Sequence, residues 1–143
     1  MSDPKRAARV VAAARAWLGT PYRHRASVPG AGADCLGLVR GVWGALYGAA
    51  PEAVPVYGPL WAEEGGVEAP RDGLARYLTA ITVDAAEAGD VLLFRFRPSA
   101  PAKHAAVLSA PDRMIHAYSG HAVAETALGP WWRRRRAYAF RFP

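Results

Sequence analysis

The chain has 143 residues and a mass of 15.3 kDa, which is the size of one domain and too small for two ordinary ones. Hydrophobic residues make up 52% of the sequence and charged residues only 21%, so a chain that is disordered throughout is excluded. The formal net charge is +6, and 16 of the 18 basic residues are arginine, which favours phosphates, carboxylates or anionic polymers as partners. We therefore expect a single folded domain over residues 1–143.

The first predicted element is an amphipathic helix from Asp3 to Leu18, because its larger apolar side chains fall on one face. Ser2 or Asp3 is the predicted N-cap, and Gly19 ends the helix. The longest apolar run in this region, Val10 to Ala14, is far shorter than the ~20 residues of a transmembrane helix and too short for a signal-peptide core. We expect no membrane insertion, and synthesis in the cytoplasm without a signal peptide.

A loop and a second helix are predicted next. The segment from Pro21 to Gly32 contains prolines, glycines and a polar run, which indicates a loop. Apolar residues three and four positions apart then indicate a helix that begins near Asp34 and Cys35 and ends at Gly48, with Asp34 as its N-cap. The following segment, Ala49 to Pro70, is too irregular for a long element and too aromatic for a free linker, so we expect a packed surface loop.

The second half of the chain changes to strands. A short helix is predicted over Arg71 to Leu78, and turn-forming residues then bound a series of short apolar segments. The predicted strands are Val91 to Phe96, His104 to Leu108, Met114 to Tyr118, Ala122 to Thr126 and Ala137 to Phe142. The fold class expected is therefore α+β, with N-terminal helices packed on a small antiparallel sheet.

The single cysteine, Cys35, excludes an internal disulfide and is a candidate nucleophile. It lies at the predicted start of a helix, where the partial positive charge favours thiolate over thiol and lowers the pKa. Taken alone, however, a lone cysteine is more often a buried structural residue.

Two histidines strengthen the nucleophile hypothesis. His104 opens one predicted strand and His116 lies in the next. A two-residue turn at Pro111-Asp112 would put them on opposite faces, whereas a three-residue connection or an equivalent bulge would pair Ala106 with His116. His104 would then lie diagonal to His116 on one face, within side-chain reach. We therefore predict an odd-length connection or an equivalent bulge. If that face packs on the start of the second helix, the three residues form nucleophile, base and orienter.

Two other uses of these residues are weaker. A zinc site built from Cys35, His104 and His116 suits the ion but lacks an obvious fourth ligand, so we expect no metal and no cofactor. The run from Arg133 to Arg136 beside Trp131-Trp132 is compatible with nucleic-acid binding. No helix-turn-helix or RNA-binding signature accompanies it, so we expect no nucleic-acid partner, and a solvated face or an acidic docking partner instead.

Five short motifs follow one another along the chain in a fixed order. They are Gly19-Thr20-Pro21-Tyr22, then Asp34-Cys35-Leu36-Gly37-Leu38-Val39, then Gly89-Asp90, His104 and Ile115-His116-Ala117. This series resembles the NlpC-type papain-like cysteine peptidases of bacterial cell walls, and it covers most of the chain. The resemblance implies a papain-like fold, with Cys35 as nucleophile, His104 as base and His116 as the third polar residue.

The resemblance also bears on substrate binding. It implies that Tyr22 lines the substrate groove and assists the oxyanion, the alternative being a loop aromatic that packs on the helix. Asp34 is a second candidate for substrate binding, although helix capping alone also explains it. Leu36 departs from the family pattern, since many relatives have a serine there that is thought to help hold the substrate peptide.

The finer resemblance is to a subgroup found in phage tails and gene transfer agents. It rests on Leu36, on the segment from Tyr57 to Glu63 and on the Trp-Trp-Arg-Arg ending. It implies a tail-tip enzyme, bound to tail-tip or hub proteins, that acts at the cell wall on peptidoglycan stem peptides and cleaves γ-D-glutamyl-diaminopimelate bonds. The alternatives are a catalytically silent tail-tip plug, and an amidase or acyltransferase with the same triad.

Overall fold

The computed structural model describes residues 3–48 and 68–143. The predicted surface loop from Ala49 to Pro70 therefore lies outside the described residues, apart from its last three positions. The described helices are α1 (Pro4–Arg15), α2 (Cys35–Tyr47), α3 (Ala69–Ala75) and α4 (Pro130–Arg133), with a 3₁₀ turn at Val83–Ala85. None of the helices in these two ranges is both long and apolar enough to cross a membrane.

The strands form two antiparallel sheets. A two-stranded hairpin joins β1 (Ser27–Val28) to β2 (Gly32–Ala33). The strands of the main sheet are β3 (Thr79–Ile81), β4 (Asp90–Phe94), β5 (His104–Ala110), β6 (Arg113–His116), β7 (Ala124–Ala127) and β8 (Arg136–Arg141). These six strands lie in the order β3-β8-β4-β5-β6-β7. The predicted α+β class is confirmed.

Local sequence signals set the ends of the two long helices. The Asp3 side chain caps α1 by accepting a hydrogen bond from the Lys5 amide at 3.0 Å, and Asp34 caps α2 by accepting one from the Gly37 amide at 2.7 Å. The helix α2 ends at Gly48, which has a φ of 89° and takes the left-handed conformation that glycine adopts without a steric cost.

Several predicted elements are corrected. The segment from Pro21 to Gly32 is not entirely loop, because it carries β1 and enters β2, strands too short to leave a period-two pattern. The helix predicted over Arg71 to Leu78 begins and ends earlier, since Pro70 is accepted in its first turn. The strand β3 and the helix α4 were not predicted, because three- and four-residue elements give no measurable periodicity.

Buried residues form clusters on both faces of the main sheet. Alternate residues of β4, Val91 and Leu93, belong to the cluster that contains α1 and α2, whereas Leu92 and Phe94 belong to the opposite cluster. The same alternation puts His104 on the Phe94 face, where Trp132 of α4 packs. The helices α1 and α2 therefore lie on one face of the sheet and the histidine pair on the other, together with α4.

The Gly89-Asp90 pair has a structural role in this arrangement. Gly89 has a φ of 91°, and a Cβ there would lie 2.7 Å from the Ala7 Cα of α1, so glycine permits close packing of this turn on the helix. The buried Asp90 carboxylate accepts two hydrogen bonds from Arg141, at 2.9 and 2.8 Å, and one from the Glu87 amide at 2.8 Å. The pair thus fixes the entry of β4 into the sheet.

Candidate active site

The thiol of Cys35 lies against the main chain of β5. Cys35 is the first residue of α2 and is half-buried. Its Sγ lies 3.8 Å from the carbonyl oxygen of Lys103, and the Ala105 amide acts to lower the pKa of the thiol. Since these two residues flank His104, the fold brings the thiol to the start of the strand that carries this histidine.

The thiol is protonated in this setting. Burial, and then the Asp34 carboxylate, raise the pKa of Cys35 to about 12, although the amides of Ala105, Leu36 and Cys35 act in the opposite direction. The helix start thus favours thiolate as expected, but it is outweighed. The expectation of a lowered pKa for the resting thiol is therefore wrong, because burial and a neighbouring negative charge both penalise the thiolate.

His104 and His116 are directly hydrogen-bonded. Nε2 of His104 and Nδ1 of His116 are 2.8 Å apart. The pairing of Val107 with Ile115 places Ala106 opposite His116, and the register then shifts, so that Ala110 pairs with Arg113. The bulge at this shift does what a three-residue connection would have done, so the predicted common face of the two histidines is confirmed.

Both imidazoles are neutral at pH 7. Burial, and next the charge of His116, lower the pKa of His104 well below 6.5. Burial, and next His121, lower the pKa of His116 to about 4. A neutral imidazole has one nitrogen that donates and one that accepts, so His104 is in the protonation state that a general base requires.

The histidine face of the sheet does not pack on the start of α2, as the predicted convergence of the three residues required. Instead, α2 covers the other face, and its first residue, Cys35, contacts the main chain just before the start of β5. Within residues 3–48 and 68–143, no hydrogen bond joins the Cys35 sulfur to either imidazole, and Nδ1 of His104 makes none. The nitrogen needed to accept the thiol proton is therefore not engaged by another described group.

Aromatic rings surround the histidine pair. The centroid of Trp132 lies 5.3 Å from that of each imidazole, and Phe96 stacks on His104 at 5.9 Å. Tyr118 and Trp131 extend this group to the surface, where 37% and 44% of each residue is exposed. Neither Phe96 nor Trp132 is predicted to belong to the site, because packing between distant segments leaves no local signal in the sequence.

Asp34 is a positioning residue in this structure. Only 3% of it is exposed, and its two carboxylate oxygens accept from the amides of Gly37 and Arg25 at 2.7 and 2.6 Å. Arg25 has a φ of 64°, a left-handed conformation that this hydrogen bond helps to hold. Asp34 thus ties the first turn of α2 to the preceding loop, and this observation favours capping over direct contact with a substrate.

Tyr22 lies beside the nucleophile candidate. It is half-buried, and it forms an isolated bridge with Ala33 next to Asp34. Burial raises its pKa to about 12, with further contributions from the charges of Cys35 and Asp34. A phenol that stays protonated next to the thiol is able to donate a hydrogen bond to a substrate.

The departure at Leu36 is accommodated by packing. Only 8% of Leu36 is exposed, and it belongs to the cluster under the helices. At the next position, a Cβ on Gly37 would lie 1.8 Å from the Ala26 carbonyl oxygen, which is far inside van der Waals contact. The Leu-Gly step therefore lets the first turn of α2 pack closely on the loop before β1.

The described residues add no support for the two alternative uses, a zinc site and nucleic-acid binding. Within the described ranges, no group of three or more His, Cys, Asp and Glu side chains is arranged to hold a metal ion. Three guanidinium groups of the arginine run donate to main-chain carbonyls: Arg133 to Pro111, Arg135 to Trp131, and Arg136 to Arg133. The absence of a nucleic-acid partner remains a prediction.

The profile of the NlpC/P60 family matches residues 19–141, whereas a search of curated proteins finds no match. Among solved structures, the NlpC/p60 domain of the peptidoglycan hydrolase SagA has a TM-score of 0.66 at 24% identity, over 94% of this chain and 97% of that one. NlpC2 from Trichomonas vaginalis has a TM-score of 0.68 at 18% identity, over 99% of this chain and 48% of that one.

A Staphylococcus aureus protein described as similar to a lipoprotein of the NLP/P60 family has a TM-score of 0.68 at 20% identity, over 99% of this chain. This chain spans 42% of the length of that protein. The predicted papain-like, NlpC-type fold is confirmed, with its antiparallel sheet and packed helices. The family match covers most of the sequence and includes all three residues of the candidate triad. The chain therefore belongs to the NlpC/P60 family.

Proposed function

We propose that this protein is a cysteine endopeptidase of bacterial cell walls, which cleaves γ-D-glutamyl-diaminopimelate bonds in peptidoglycan stem peptides. The observation that carries the proposal is the hydrogen bond between His104 and His116. The Cys35 thiol lies against the carbonyl oxygen of Lys103, the residue that precedes His104. Family membership supports the same chemistry, since SagA and the Mycobacterium tuberculosis protein RipB are peptidoglycan hydrolases by name.

In this mechanism His104 is the general base. Its proton lies on Nε2 and is donated to Nδ1 of His116, so that Nδ1 of His104 is an acceptor. The Sγ of Cys35 leaves the Lys103 carbonyl and attacks the substrate carbonyl carbon as its proton passes to Nδ1 of His104. Because the resting thiol and imidazole are both neutral, this proton moves during attack and no ion pair is formed beforehand.

The later steps use the same groups. The Cys35 amide at the start of α2 donates to the developing oxyanion. His104 then gives its proton to the leaving amine, and a thioester remains on Cys35. Water attacks the thioester with His104 again as base, releasing the γ-carboxylate and restoring the thiol.

We further propose that a phage-like tail tip carries the enzyme to the wall, bound to tail-tip or hub proteins. The support is the sequence resemblance to that subgroup at Leu36, in the segment from Tyr57 to Glu63 and in the Trp131-Trp132-Arg133-Arg134 ending. Antibody labelling of purified particles tests the carrier: label at the tail tip supports it, and label absent from intact particles contradicts it.

The activity is tested by digestion of purified sacculi and of stem peptides, followed by mass spectrometry of the fragments. We expect products with a free D-glutamate γ-carboxylate and a free diaminopimelate amine, and no products from folded Cys35→Ser. Because Cys35 is the only cysteine, blocking the thiol with methyl methanethiosulfonate and releasing it with dithiothreitol gives a matched control without a substitution.

Each outcome separates the alternatives. Equal cleavage by wild type and Cys35→Ser contradicts the cysteine mechanism. Cleavage at a different bond identifies an amidase or another acyl-transfer enzyme. A folded wild-type protein that cleaves neither substrate contradicts the enzyme proposal and favours the structural plug.

A further inference from the structure

The histidine pair has a hydrogen-bonding partner that does not belong to the predicted triad. Nε2 of His116 lies 3.0 Å from the hydroxyl oxygen of Thr126. Thr126 belongs to β7, where it pairs with Met114, while His116 pairs with Ala124. Thr126 is therefore one diagonal step from His116 on the same face of the sheet, the distance over which cross-strand side chains interact.

The direction of these hydrogen bonds follows from the role of His104 as base. If Nδ1 of His104 is to accept a proton, its resting proton lies on Nε2 and is donated to Nδ1 of His116. His116 must then carry its own proton on Nε2, which points at the Thr126 oxygen. The hydroxyl accepts this hydrogen bond, so both nitrogens of His116 are satisfied.

We propose that Thr126 is a positioning residue that holds His116 with its proton on Nε2, and so keeps Nδ1 of His116 as the acceptor for His104. The consequence for catalysis rests on the proposed function, whereas the effect on the His116 tautomer does not. Only 6% of His116 is exposed, so an Nε2 proton without this acceptor would be left largely without solvent. Loss of the hydroxyl therefore favours the other tautomer or a rotated ring.

The placement of Thr126 is fixed by its neighbour in the strand. Among residues 3–48 and 68–143, the strand β7 lies at the edge of the sheet and pairs with β6 alone, so few main-chain hydrogen bonds from these residues hold it. The next side chain, Glu125, accepts two hydrogen bonds from Arg15 of α1, at 3.1 and 3.0 Å. This clamp ties the edge strand to α1 and keeps the Thr126 hydroxyl at His116.

The variants that test this inference are Thr126→Val, which keeps the shape and removes the acceptor, and Thr126→Ser, which keeps the hydroxyl. Thr79→Val is the matched control, because Thr79 is exposed on β3 at the opposite edge of the same sheet. Thr126→Ala is a second variant without the hydroxyl, should the valine side chain disturb folding.

The first measurement is the ¹⁵N spectrum of the histidine rings in the resting protein, with His116 assigned from its own variant. We expect the Nε2-protonated form of His116 in wild type, Thr126→Ser and Thr79→Val. Thr126→Val and Thr126→Ala should convert at least part of His116 to the Nδ1-protonated form. An unchanged tautomer in both variants that lack the hydroxyl overturns the inference, whether or not the protein is an enzyme.

The second measurement is the rate of stem-peptide cleavage. We expect kcat to fall about tenfold in Thr126→Val, the size of one lost hydrogen bond, with KM unchanged and Thr126→Ser close to wild type. Equal losses in the serine and valine variants overturn the inference while leaving the proposed function intact. If wild type cleaves nothing, the proposed function fails and the tautomer measurement still decides the role of Thr126.

Discussion

Nε2 of His104 and Nδ1 of His116 are 2.8 Å apart, on neighbouring strands whose register shifts between Leu108 and Ala110. This contact uses Nε2 of His104 and holds the ring in one orientation. It leaves the second ring nitrogen, Nδ1, to act as the proton acceptor in the proposed mechanism. A ring without the contact would lose both its orientation and its preferred tautomer, which are the properties that a general base needs.

Replacing His116 therefore tests the contact directly. We expect His116→Leu to lower kcat for stem-peptide cleavage about 100-fold, because leucine cannot accept from Nε2 of His104. His116→Asn should recover part of this loss, since its amide oxygen can accept the same hydrogen bond. Equal activity of the leucine variant and wild type would show that His104 does not need an orienting partner.

The neutral histidine pair also predicts a dependence of stability on pH. The folded-state pKa values of His104 and His116 are both lowered, so below pH 6.5 the unfolded chain binds more protons than the folded one. The free energy of unfolding should therefore fall as the pH drops below 6.5, by up to about 1.4 kcal/mol per pH unit for each histidine. For His116 this loss ends near its folded pKa of about 4.

Urea unfolding between pH 7.5 and 4.5 measures this slope. His116→Asn should give a shallower slope than wild type, whereas His121→Gln should make the loss of stability end at a higher pH, because His121 contributes to the lowered pKa of His116. Glu125 adds to the slope only near the lower end of this window, because Arg15 first, and then its other partners, lower its folded pKa to about 2, whereas the carboxyl of the unfolded chain takes up a proton near pH 4.5. A wild-type slope of zero below pH 6.5 would contradict the burial of the two imidazoles in their neutral form.

Asp34 is predicted to suppress the reactivity of the resting thiol. Its charge adds to burial in raising the pKa of Cys35, so Asp34→Asn should lower that pKa while asparagine still caps α2. Alkylation by iodoacetamide, followed as a function of pH, should show an inflection at lower pH than in wild type. The matched control is Asp90→Asn, a buried carboxylate paired with Arg141, and coinciding inflections in wild type and Asp34→Asn would refute the role of this charge.

The sequence was most informative where the signals are local. Asp3 and Asp34 cap the two long helices as predicted. The bulge between Leu108 and Ala110 matches the prediction of an odd-length connection or an equivalent bulge, which puts His104 and His116 on the same face of the sheet. These features depend on a few neighbouring residues, or on a period of two along a strand, and both can be read without coordinates.

The parts that could not be predicted depend on contacts between distant segments. The sequence relates Trp132 to nucleic-acid stacking and to the phage-tail resemblance, yet in the structure Trp132 packs on both imidazoles. Thr126 lay in a predicted strand, but its contact with His116 depends on which strands are neighbours in the sheet. The raised pKa of Cys35 was missed for the same reason, since burial outweighs the helix start only once the whole core is in place.

Gly37 is predicted to be indispensable to the first turn of α2. A Cβ at this position would lie 1.8 Å from the carbonyl oxygen and 2.9 Å from the carbonyl carbon of Ala26, and both atoms are main chain and cannot rotate away. Gly37→Ala must therefore displace the turn that carries Cys35. We expect a loss of about 2–4 kcal/mol in the free energy of unfolding, with a large fall in stem-peptide cleavage.

Gly73→Ala in α3 is the matched control, because a Cβ there meets nothing within 4 Å. In a helix interior this change should leave stability unchanged or raise it by about 0.5–1 kcal/mol. Urea unfolding of the two variants, together with the cleavage assay, separates loss of close packing from a general effect of alanine. If Gly37→Ala were as stable and as active as Gly73→Ala, the close approach of α2 to Ala26 would not determine the position of the nucleophile.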